Sequence, residues 1–593
     1  MKQLSPEQRE VTYLGEIAVC VPLTIAVTER GFKVRGDYDG LMPSVAPIRK
    51  EKIKPMRRFI PLLVLLSICA SLSSADTYPR QPGVDALHYI FRLTLSDESD
   101  ELVGETTVDL RFIQDGLTEV ALDLASAANG KGMTVAEVTS GGAPARYTHQ
   151  ADRLRLTLTT ASKAGERRQF IVRYRGVPAN GLRMLKNKYG ERVFFSENWP
   201  NNARQWLPMI DHPYDKATSE FIITAPARYQ VVANGLLQEE TDLGDGRRLT
   251  HWKQSAPIAS WLNAIGVAQF AVHHAGLVKG VPLQTWVYHQ DRDAGIAGFE
   301  ETSRLAMEFF SEYVGPYSYE KLGNVQAAGI NGGTEHASAI FYGENLLSSG
   351  SIVSGVAHEI AHQWFGNAVT EADWDDVWLS EGFATYFALL FIEHYYGRDQ
   401  FVAGLKRSRD TVFANEKRLP GKAVIHDNLS DMRQVLNGLV YQKGGWVLHM
   451  LRRQLGDQRF RAGVRDYYRR YRNGNATTDD FRQALEEQAG EDLSWFFRQW
   501  LERAGSPVIE GGWRYDPAAK RLDLELAQTQ PGEAYRLPLE IGVTIEGAPQ
   551  LRLEKIELAQ KQQRFELAVD KEPTAVALDP NMWVLMEARF GKR

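Results

Sequence analysis

The stretch HEIAH at 358–362, together with a glutamate that eighteen residues separate from His362, decides how this chain folds around its chemistry. Histidines at i and i+4 lie on one face of a helix, so His358 and His362 can reach the same metal ion. A second helix that returns Glu381 to that point would complete the set. Two histidines, one glutamate and a water molecule form an open zinc site. Glu359 lies next to the open position, and the pattern predicts that it is the general base.

Composition narrows the class of protein. The chain has 593 residues, of which 44% are hydrophobic, a composition typical of a globular protein. Its length is enough for three or four domains of about 150 residues each. The formal charge of −5 comes without a basic stripe, which argues against a nucleic-acid partner. The only cysteines, Cys20 and Cys69, exclude a disulfide framework and a cysteine-rich metal site.

Residues 56–75, MRRFIPLLVLLSICASLSSA, follow the plan of a secretory signal peptide. A basic start is followed by an apolar run that is too short to span a bilayer, and small residues precede a cut before Asp76. A signal peptide begins at its own methionine, so we expect that residues 1–55 are not translated. The mature chain is then periplasmic or secreted, without a stable membrane span. A buried helix or a membrane anchor at 56–75, and a genuine extension at 1–55, are the alternatives.

Hydrophobic spacing divides the remaining chain into three domains. Apolar and polar residues alternate in residues 76–270, which predicts strands with one buried face. Residues 271–505 carry helical spacing and contain every candidate metal ligand. Short strands return in residues 506–593 and predict a small β-sandwich. The fold class is therefore α+β and multidomain, with predicted helices at 297–314, 351–364, 380–396, 434–455, 458–472 and 478–503.

The residues around the two histidines resemble the membrane alanyl aminopeptidase family, which are gluzincin zinc aminopeptidases related to leukotriene A hydrolase. The resemblance rests on QWFGN at 363–367 and WLSEGFA at 378–384, and it extends over most of residues 80–593. It implies an N-terminal β-sandwich or saddle domain, a thermolysin-like, mainly helical catalytic domain and a C-terminal β-sandwich. It also implies one zinc ion per chain and peptide substrates with a free N-terminus, from which the first residue is hydrolysed by a zinc-activated water.

The family's exopeptidase motif, Gly-x-Met-Glu-Asn, has its counterpart in GGTEH at 332–336. A carboxylate near the metal can bind a substrate ammonium group by a charge-assisted hydrogen bond, and Glu335 is the candidate. Gly332 and Gly333 permit close backbone approach, so an extended substrate can pair with this segment as an added strand. Thr334 replaces a methionine that lines the first side-chain pocket in relatives, and His336 replaces the asparagine, which puts selectivity and affinity in question.

The resemblance implies two further roles near the metal, whereas the partners of the ligand histidines are unassigned. Tyr441, in YQKGG at 441–445, matches the tyrosine that donates a hydrogen bond to the oxyanion. A second acidic contact to the ammonium group, which relatives take from the N-terminal domain, falls here on Trp199, with Glu197 nearby. Asp375 and Asp376 are candidates for orienting the ligand histidines.

Three other functions share parts of this pattern. An endopeptidase of the thermolysin kind uses the same ligands, although Glu335 argues against it. An epoxide hydrolase like the leukotriene relative is an exception within the family. A non-enzymatic scaffold that has lost its zinc is opposed by the presence of every ligand. The large C-terminal helical domain of longer relatives has no counterpart, so we expect a more open site that admits longer peptides.

Overall fold

A computed structural model describes residues 76–349, 352–547 and 550–593, and the backbone of a separate antiparallel pair, β1 (Ala26–Thr28) and β2 (Gly31–Lys33). The predicted signal peptide at 56–75 and the rest of the preceding extension lie outside the described residues. No helix within the described part of the chain has the length and apolar character needed to cross a membrane.

The N-terminal region is built of strands because its apolar residues recur at every second position, as in the alternately buried strand Ala217–Pro226. Its strands are β3 (Val84–Thr94), β4 (Leu102–Phe112), β5 (Glu119–Asp123), β6 (Gly132–Ser140), β7 (Ala143–Pro144), β8 (Tyr147–Gln150), β9 (Arg153–Thr157), β10 (Arg167–Val177), β11 (Leu182–Lys186), β12 (Arg192–Ser196), β13 (Ala217–Pro226), β14 (Gln230–Ala233), β15 (Leu236–Asp242), β16 (Arg247–Ile258) and β17 (Ile265–Ala268).

These strands form three sheets. An eight-stranded sheet has the order β15-β16-β13-β3-β4-β10-β6-β7, a four-stranded sheet the order β11-β12-β17-β14, and a three-stranded sheet the order β5-β9-β8. Every pair is antiparallel except β13 with β3. Side chains of all three sheets meet in one apolar core, in which the Trp206 ring is fully buried and donates its indole N–H to Asn198 Oδ1 at 2.8 Å.

The middle region combines a mixed sheet with helices. The sheet has the order β18-β19-β20-β22-β21, so that β21 is an edge strand. The strands of this region are β18 (Phe270–Val278), β19 (Val281–Tyr288), β20 (Leu322–Ala327), β21 (Gly333–Thr334), β22 (Ala339–Gly343), and the parallel pair β23 (Val369–Glu371) and β24 (Gly474–Ala476).

The helices of the middle region are α1 (Arg292–Tyr313), α2 (Ile352–His362), α3 (Trp378–Tyr396), α4 (Arg398–Arg418), α5 (Gly444–Leu455), α6 (Asp457–Tyr471), α7 (Thr478–Ala489) and α8 (Ser494–Phe497). Two π-helical turns cover Leu439–Lys443 and Arg498–Glu502. Short 3₁₀ turns throughout the described chain cover Ala203–Gln205, Ser260–Leu262, His289–Asp291, Leu346–Ser348, Trp374–Asp376 and Met432–Gln434.

The C-terminal region has two facing sheets, β29-β26-β25-β31 and β28-β27-β30. Their inner side chains form one apolar cluster that includes Trp513 and Leu524 from the first sheet and Ile541 and Val543 from the second. The strands are β25 (Val508–Asp516), β26 (Arg521–Gln528), β27 (Leu537–Thr544), β28 (Arg552–Leu558), β29 (Gln562–Ala568), β30 (Ala575–Leu578) and β31 (Glu587–Lys592). The α+β class with a β N-terminal part, a helical middle and a small β C-terminal part is confirmed.

The predicted helix pattern was wrong in two places. The sequence analysis missed α4, because Gly404 and Asn415 occupy positions on its buried face where the pattern requires large apolar side chains. The single helix predicted over 478–503 is interrupted, since Gly490 adopts a left-handed conformation (φ 71°) that ends α7.

Two glycines allow the helix that carries Glu381 to pack very closely on the segment that carries Tyr441. A Cβ built on Gly382 would lie 2.9 Å from the carbonyl carbon of Gly444 and 3.0 Å from its Cα, distances that packed atoms do not tolerate. Because both neighbours are backbone atoms, they cannot move aside as a flexible side chain can. The close approach of α3 and α5 therefore requires glycine at 382.

We predict that Gly382→Ala lowers the free energy of unfolding by about 1–3 kcal/mol, because overpacking forces the two helices apart. Gly355→Ala in α2 is the matched control: its Cβ would meet Leu346 at an ordinary 3.5 Å, so the higher helix propensity of alanine should stabilise the chain by up to about 1 kcal/mol. Thermal unfolding of both variants measures the difference. Equal stabilisation by the two alanines would contradict the packing argument.

Candidate metal centre

Three donor atoms from α2 and α3 face a common point. The Nε2 atoms of His358 and His362 lie 3.1 Å apart, and they lie 3.6 and 3.3 Å from Glu381 Oε2. Zinc bonds of about 2.0–2.1 Å in a tetrahedral arrangement separate neighbouring ligand atoms by about 3.3–3.4 Å. The observed spacings are close to this value. The donor set therefore fits one zinc ion bound by two imidazoles and a carboxylate.

The state of Glu381 suits it to bind a cation. Burial alone would raise the pKa of this carboxyl group, but the charge of His362 and the closeness of both imidazoles hold the pKa at about 2. Glu381 also lies in the first turn of α3, where the helix dipole favours a negative charge. Its Oε2 is buried without a hydrogen-bond partner among the described residues. A buried, ionised oxygen in this situation requires a positive partner.

The orientation of the second histidine is fixed by its other ring nitrogen. His362 Nδ1 lies 3.1 Å from the backbone oxygen of Phe365 and 3.1 Å from Ser380 Oγ. Because this carbonyl accepts the proton on Nδ1, Nε2 is the nitrogen that would give up its proton to a metal. Gly366 lies alongside with φ 101°, and a Cβ there would lie 2.1 Å from Ser380 Oγ. The short turn after α2 therefore holds the imidazole in place.

The expectation that Asp375 and Asp376 orient the ligand histidines is wrong. Asp375 accepts the backbone N–H groups of Asn428 and Leu429, both at 2.9 Å. Asp376 accepts the Thr478 hydroxyl at 2.7 Å. Both carboxylates hold together other parts of the helical region, and no pattern in the sequence pointed to the backbone carbonyl that replaces them at His362.

Glu359, the predicted general base, is buried beside the three donor atoms. Burial raises the pKa of its carboxyl group to about 8; the charge of His362 opposes this shift, while Glu335 and Glu381 add to it. The side chain packs directly on the bare backbone of Gly333, where a Cβ would lie 2.4 Å from its carboxyl carbon. Gly333 thus makes room for Glu359.

The Glu335 backbone is tied to the metal helix by two carboxamides. Gln363, the residue that follows the ligand His362, donates from Nε2 to the Glu335 carbonyl oxygen at 2.9 Å. Asn367 donates from Nδ2 to the same oxygen at 2.5 Å. Gln363 Oε1 also accepts the Ser338 N–H at 3.0 Å. These three bonds couple the position of Glu335 to that of His362, and the sequence analysis missed both carboxamides.

The Glu335 carboxylate lies at the junction of the N-terminal and middle regions. The Trp261 indole N–H donates to its Oε1 at 3.2 Å, and burial, together with the charge of Glu381, raises its pKa. Glu197 belongs to the same neighbourhood, because the charge of Glu335 contributes to its raised pKa after burial. Arg183 pairs with Glu197 at 2.7 Å.

The other residues of the 332–336 motif shape the wall next to Glu335. Gly332 has φ 74°, which glycine adopts without strain, and Thr334 lies on the edge strand β21, paired with Phe341. The His336 ring is fully buried at a centroid distance of 4.8 Å from Phe341, and burial lowers its pKa to about 3. The ring has no exposed surface. A role for His336 in substrate binding stays a prediction.

Tyr441 lies in the π-helical turn before α5, a local widening of the helix that is common at functional sites. Its ring lies nearly parallel to the His358 ring, with centroids 6.2 Å apart. Burial raises the pKa of the phenol well above its usual value, and the negative charge of Glu381 raises it further. The hydroxyl therefore stays protonated and can act only as a neutral donor or acceptor.

An open cavity of about 430 Å³ adjoins the metal centre. Its walls come from α2, α3 and α4, the turn at Tyr441 and the glycines before Glu335, and the residues that line it are Gly332, Gly333, Leu346, Ser354, Gly355, His358, Glu359, Thr385, Ala388, Leu389, Ile392, Gly404, Arg407, Ser408, Thr411, Tyr441 and Gln442. The contribution of α4 was not foreseen, because the helix itself was not predicted.

Two family models match the chain over the regions that build this site. The peptidase M1 N-terminal domain matches residues 85–262, and the peptidase family M1 domain matches residues 298–500.

Curated relatives include a glutamyl aminopeptidase of Bitis rhinoceros, which is 30% identical over 54% of this chain and 36% of its own length. The glutamyl aminopeptidase of Homo sapiens is 29% identical over 60% of this chain and 39% of its own. The chain thus spans well under half the length of these relatives.

A solved structure gives a more complete match. The crystal structure of an M1 zinc metallopeptidase from Deinococcus radiodurans aligns with a TM-score of 0.62 and 26% identity, over 72% of this chain and 95% of that one. Because both regions that carry the site match M1 domains, and because the fold aligns with nearly the whole of a solved M1 structure, this chain belongs to peptidase family M1.

Proposed function

We propose that this chain is a zinc-dependent aminopeptidase that hydrolyses the first peptide bond of substrates with a free N-terminus. One observation carries the proposal: the backbone oxygen of Glu335 accepts hydrogen bonds from Gln363 and Asn367, which lie one and five residues after the metal ligand His362. A group that binds an ammonium ion is thereby held at a fixed distance from the metal. That distance selects the terminal peptide bond, because internal bonds carry no adjacent positive charge.

A zinc ion held by His358, His362 and Glu381 would supply a Lewis acid and lower the pKa of a water molecule to about 7. Glu359 then accepts the proton of the attacking water and delivers it to the leaving amine. Its raised pKa supports this role, since a base near neutrality can both take and return a proton. Tyr441 donates a hydrogen bond to the carbonyl oxygen as negative charge develops there.

The substrate's direction follows from this arrangement. The Trp261 indole contacts Glu335, whereas the cavity of about 430 Å³ lined by Glu359, Tyr441 and α4 includes the ligand His358 but not Glu335. We propose that the first residue occupies the Glu335 side and that the next residues enter the cavity. The motif residues Gly332, Gly333 and Thr334 would contact the substrate backbone along the edge strand β21.

Several features beyond the catalytic centre complete the proposal. Glu197 would add a second carboxylate near the substrate ammonium, since the charge of Glu335 contributes to the raised pKa of Glu197. The signal-peptide pattern at 56–75 supports export to the periplasm or the medium. We assign residues 76–270, 271–505 and 506–593 to the N-terminal, catalytic and C-terminal domains.

Removing the metal should stop turnover, and removing the base alone should lower kcat strongly while the metal stays bound. We predict that a chelator stops hydrolysis of aminoacyl fluorogenic substrates and that added zinc restores it.

We predict that Glu359→Gln retains one zinc per chain but lowers kcat by about 10²–10⁴, the usual contribution of a general base. The exposed Glu301→Gln on α1 serves as the control. Near-normal turnover by Glu359→Gln, or activity in metal-free protein, would refute the mechanism.

Glu335→Gln should selectively weaken recognition of the free N-terminus. A hydrogen bond to a charged group contributes about 1.5–3 kcal/mol, so we expect kcat/KM on a free peptide to fall by about 10- to 100-fold with zinc content unchanged. The same peptide with an acetylated N-terminus is the control, because it lacks the charge and should be a poor substrate for both proteins. Equal cleavage of free and acetylated peptides by the parent chain would instead indicate an endopeptidase.

Tyr441→Phe tests the oxyanion donor. The change removes one hydroxyl and leaves the ring, so we expect kcat to fall by about 10²–10³ while KM changes only a few-fold. Tyr396→Phe, at the exposed end of α3, is the matched control. A Tyr441→Phe variant with normal kcat would assign the stabilisation of the carbonyl oxygen to the metal alone.

A further inference from the structure

The backbone nitrogen of Asp76 lies against a carboxylate. Asp76 N is 3.0 Å from Asp373 Oδ1, and the Asp373 side chain is largely buried. The same carboxylate accepts the Asp375 N–H at 2.9 Å and pairs with the Arg80 guanidinium at 2.5 Å. Residue 76 is also the position that the small residues at 73–75 mark as the first of the mature chain. Two independent observations therefore coincide at one nitrogen atom.

The Asp76 side chain is held as firmly as its backbone. Its carboxylate accepts the Tyr78 N–H at 2.9 Å, the Trp374 N–H at 3.2 Å and the His212 Nε2–H at 2.7 Å. His212 Nδ1 accepts the Tyr214 N–H, which places the imidazole proton on Nε2. These contacts, together with the bond to Asp373, fix residue 76 at this spot. Such fixation is unusual for a residue near the start of a compact unit.

The negative charges around Asp76 outnumber the positive ones, so that one more cation would be favourable there. Asp76, Asp373 and Asp375 lie close enough that the charges of the first two raise the pKa of Asp375, which burial raises most. Arg80 is the guanidinium that pairs with this group. A positive charge on His212 is disfavoured, because its Nδ1 accepts the Tyr214 N–H and burial lowers its pKa. Three carboxylates and one permanent cation leave an excess of negative charge at the Asp76 nitrogen.

We propose that the chain is processed by hydrolysis of the Ala75–Asp76 bond and that the new α-ammonium group of Asp76 forms a buried ion pair with Asp373. In the hydrolysis, a water oxygen bonds to the carbonyl carbon of Ala75 and the C–N bond breaks. Both protons of that water end on the nitrogen of Asp76, which becomes the ammonium group, and the new terminus of Ala75 is a carboxylate. The catalyst is a signal peptidase of the exporting cell, and water is the only other reactant.

The ion pair would act on the active site through the turn that precedes α3. Asp373 caps the 3₁₀ turn Trp374–Asp376, and α3 begins two residues later with Glu381 in its first turn. The Trp374 ring lies edge-on to Trp199 at 4.8 Å and tilted against Trp261 at 5.1 Å, and Trp261 contacts Glu335. Fixing the new N-terminus would therefore stabilise the wall on the substrate's ammonium side.

A buried N-terminus would also protect the chain from its own proposed activity. This second consequence rests on the proposed function. An exposed free N-terminus would be a substrate for other copies of the same enzyme. An α-ammonium group that is paired with Asp373 and covered by the Asp76 contacts is withheld from any aminopeptidase. The tether itself does not depend on the chain's own catalytic activity.

The first experiment identifies the N-terminus. Residues 56–593 are expressed with export in a bacterial host, and the purified protein is analysed by intact mass and N-terminal sequencing. The proposal requires a chain that begins at Asp76. Any other N-terminus, or a retained leader, would overturn it.

The second experiment measures the ion pair by a cycle of four proteins. The chain beginning at Asp76 is compared with one extended by Gly-Ser ahead of Asp76, each with Asp373 or Asp373→Asn. We expect the extension to lower Tm by about 2 °C or more with Asp373 present and to have little effect in Asp373→Asn, because the asparagine keeps the hydrogen-bond acceptor but loses the charge. In the control Arg80→Gln the effect of the extension should persist. If the extension lowered Tm equally in the parent chain and in Asp373→Asn, the two groups would be uncoupled and the ion pair would be overturned.

The third experiment separates the tether from the activity. All chains carry Glu359→Gln, so that self-cleavage is excluded, and an unrelated aminopeptidase is added. Mass spectrometry should show that Asp373→Asn loses Asp76 at least 10-fold faster than the matched chain with Asp373. Equal trimming rates would contradict the buried N-terminus whether or not the chain is itself an aminopeptidase.

Discussion

The structure depends on three donor atoms that are forced together: two imidazole nitrogens and a carboxylate oxygen, 3.1–3.6 Å apart and largely shielded from water. Lone pairs and a negative charge at such distances are favourable only around a cation. Much of the surrounding architecture serves this arrangement. The helix α2 presents two histidines one turn apart, the turn after it holds His362 through Phe365, and the glycine contact between α3 and α5 lets Glu381 and Tyr441 approach the same point.

A second constraint fixes the position of Glu335, the proposed ammonium-binding residue, relative to the metal ligands. Gln363 and Asn367 follow the ligand His362 in sequence, and both donate to the backbone oxygen of Glu335. A displacement of α2 would therefore carry Glu335 with it, so that the distance between the metal ligands and the carboxylate proposed to bind the ammonium group is preserved. Gly333 contributes to the same close packing, since its missing side chain leaves room for Glu359. An exopeptidase needs this distance more than it needs any single contact.

The sequence predicted which three donors come together in a group that could hold one zinc ion, because helical periodicity and the spacing to Glu381 are local signals that directly encode geometry. The order of β, helical and β regions followed from hydrophobic spacing for the same reason. Helix α4 was missed, since Gly404 and Asn415 interrupt its buried face and only tertiary packing shows that they belong there. The partners of His362 were also mistaken, because a backbone carbonyl leaves no trace in the identity of side chains.

The most direct test of the central claim is X-ray absorption at the zinc K-edge on the purified, catalytically competent chain. The account predicts one zinc per chain with two imidazole nitrogens and oxygen donors at about 2.0–2.1 Å and no sulfur, and loss of the carboxylate contribution in Glu381→Ala. A spectrum without imidazole scattering, or one that is unchanged in Glu381→Ala, would contradict it.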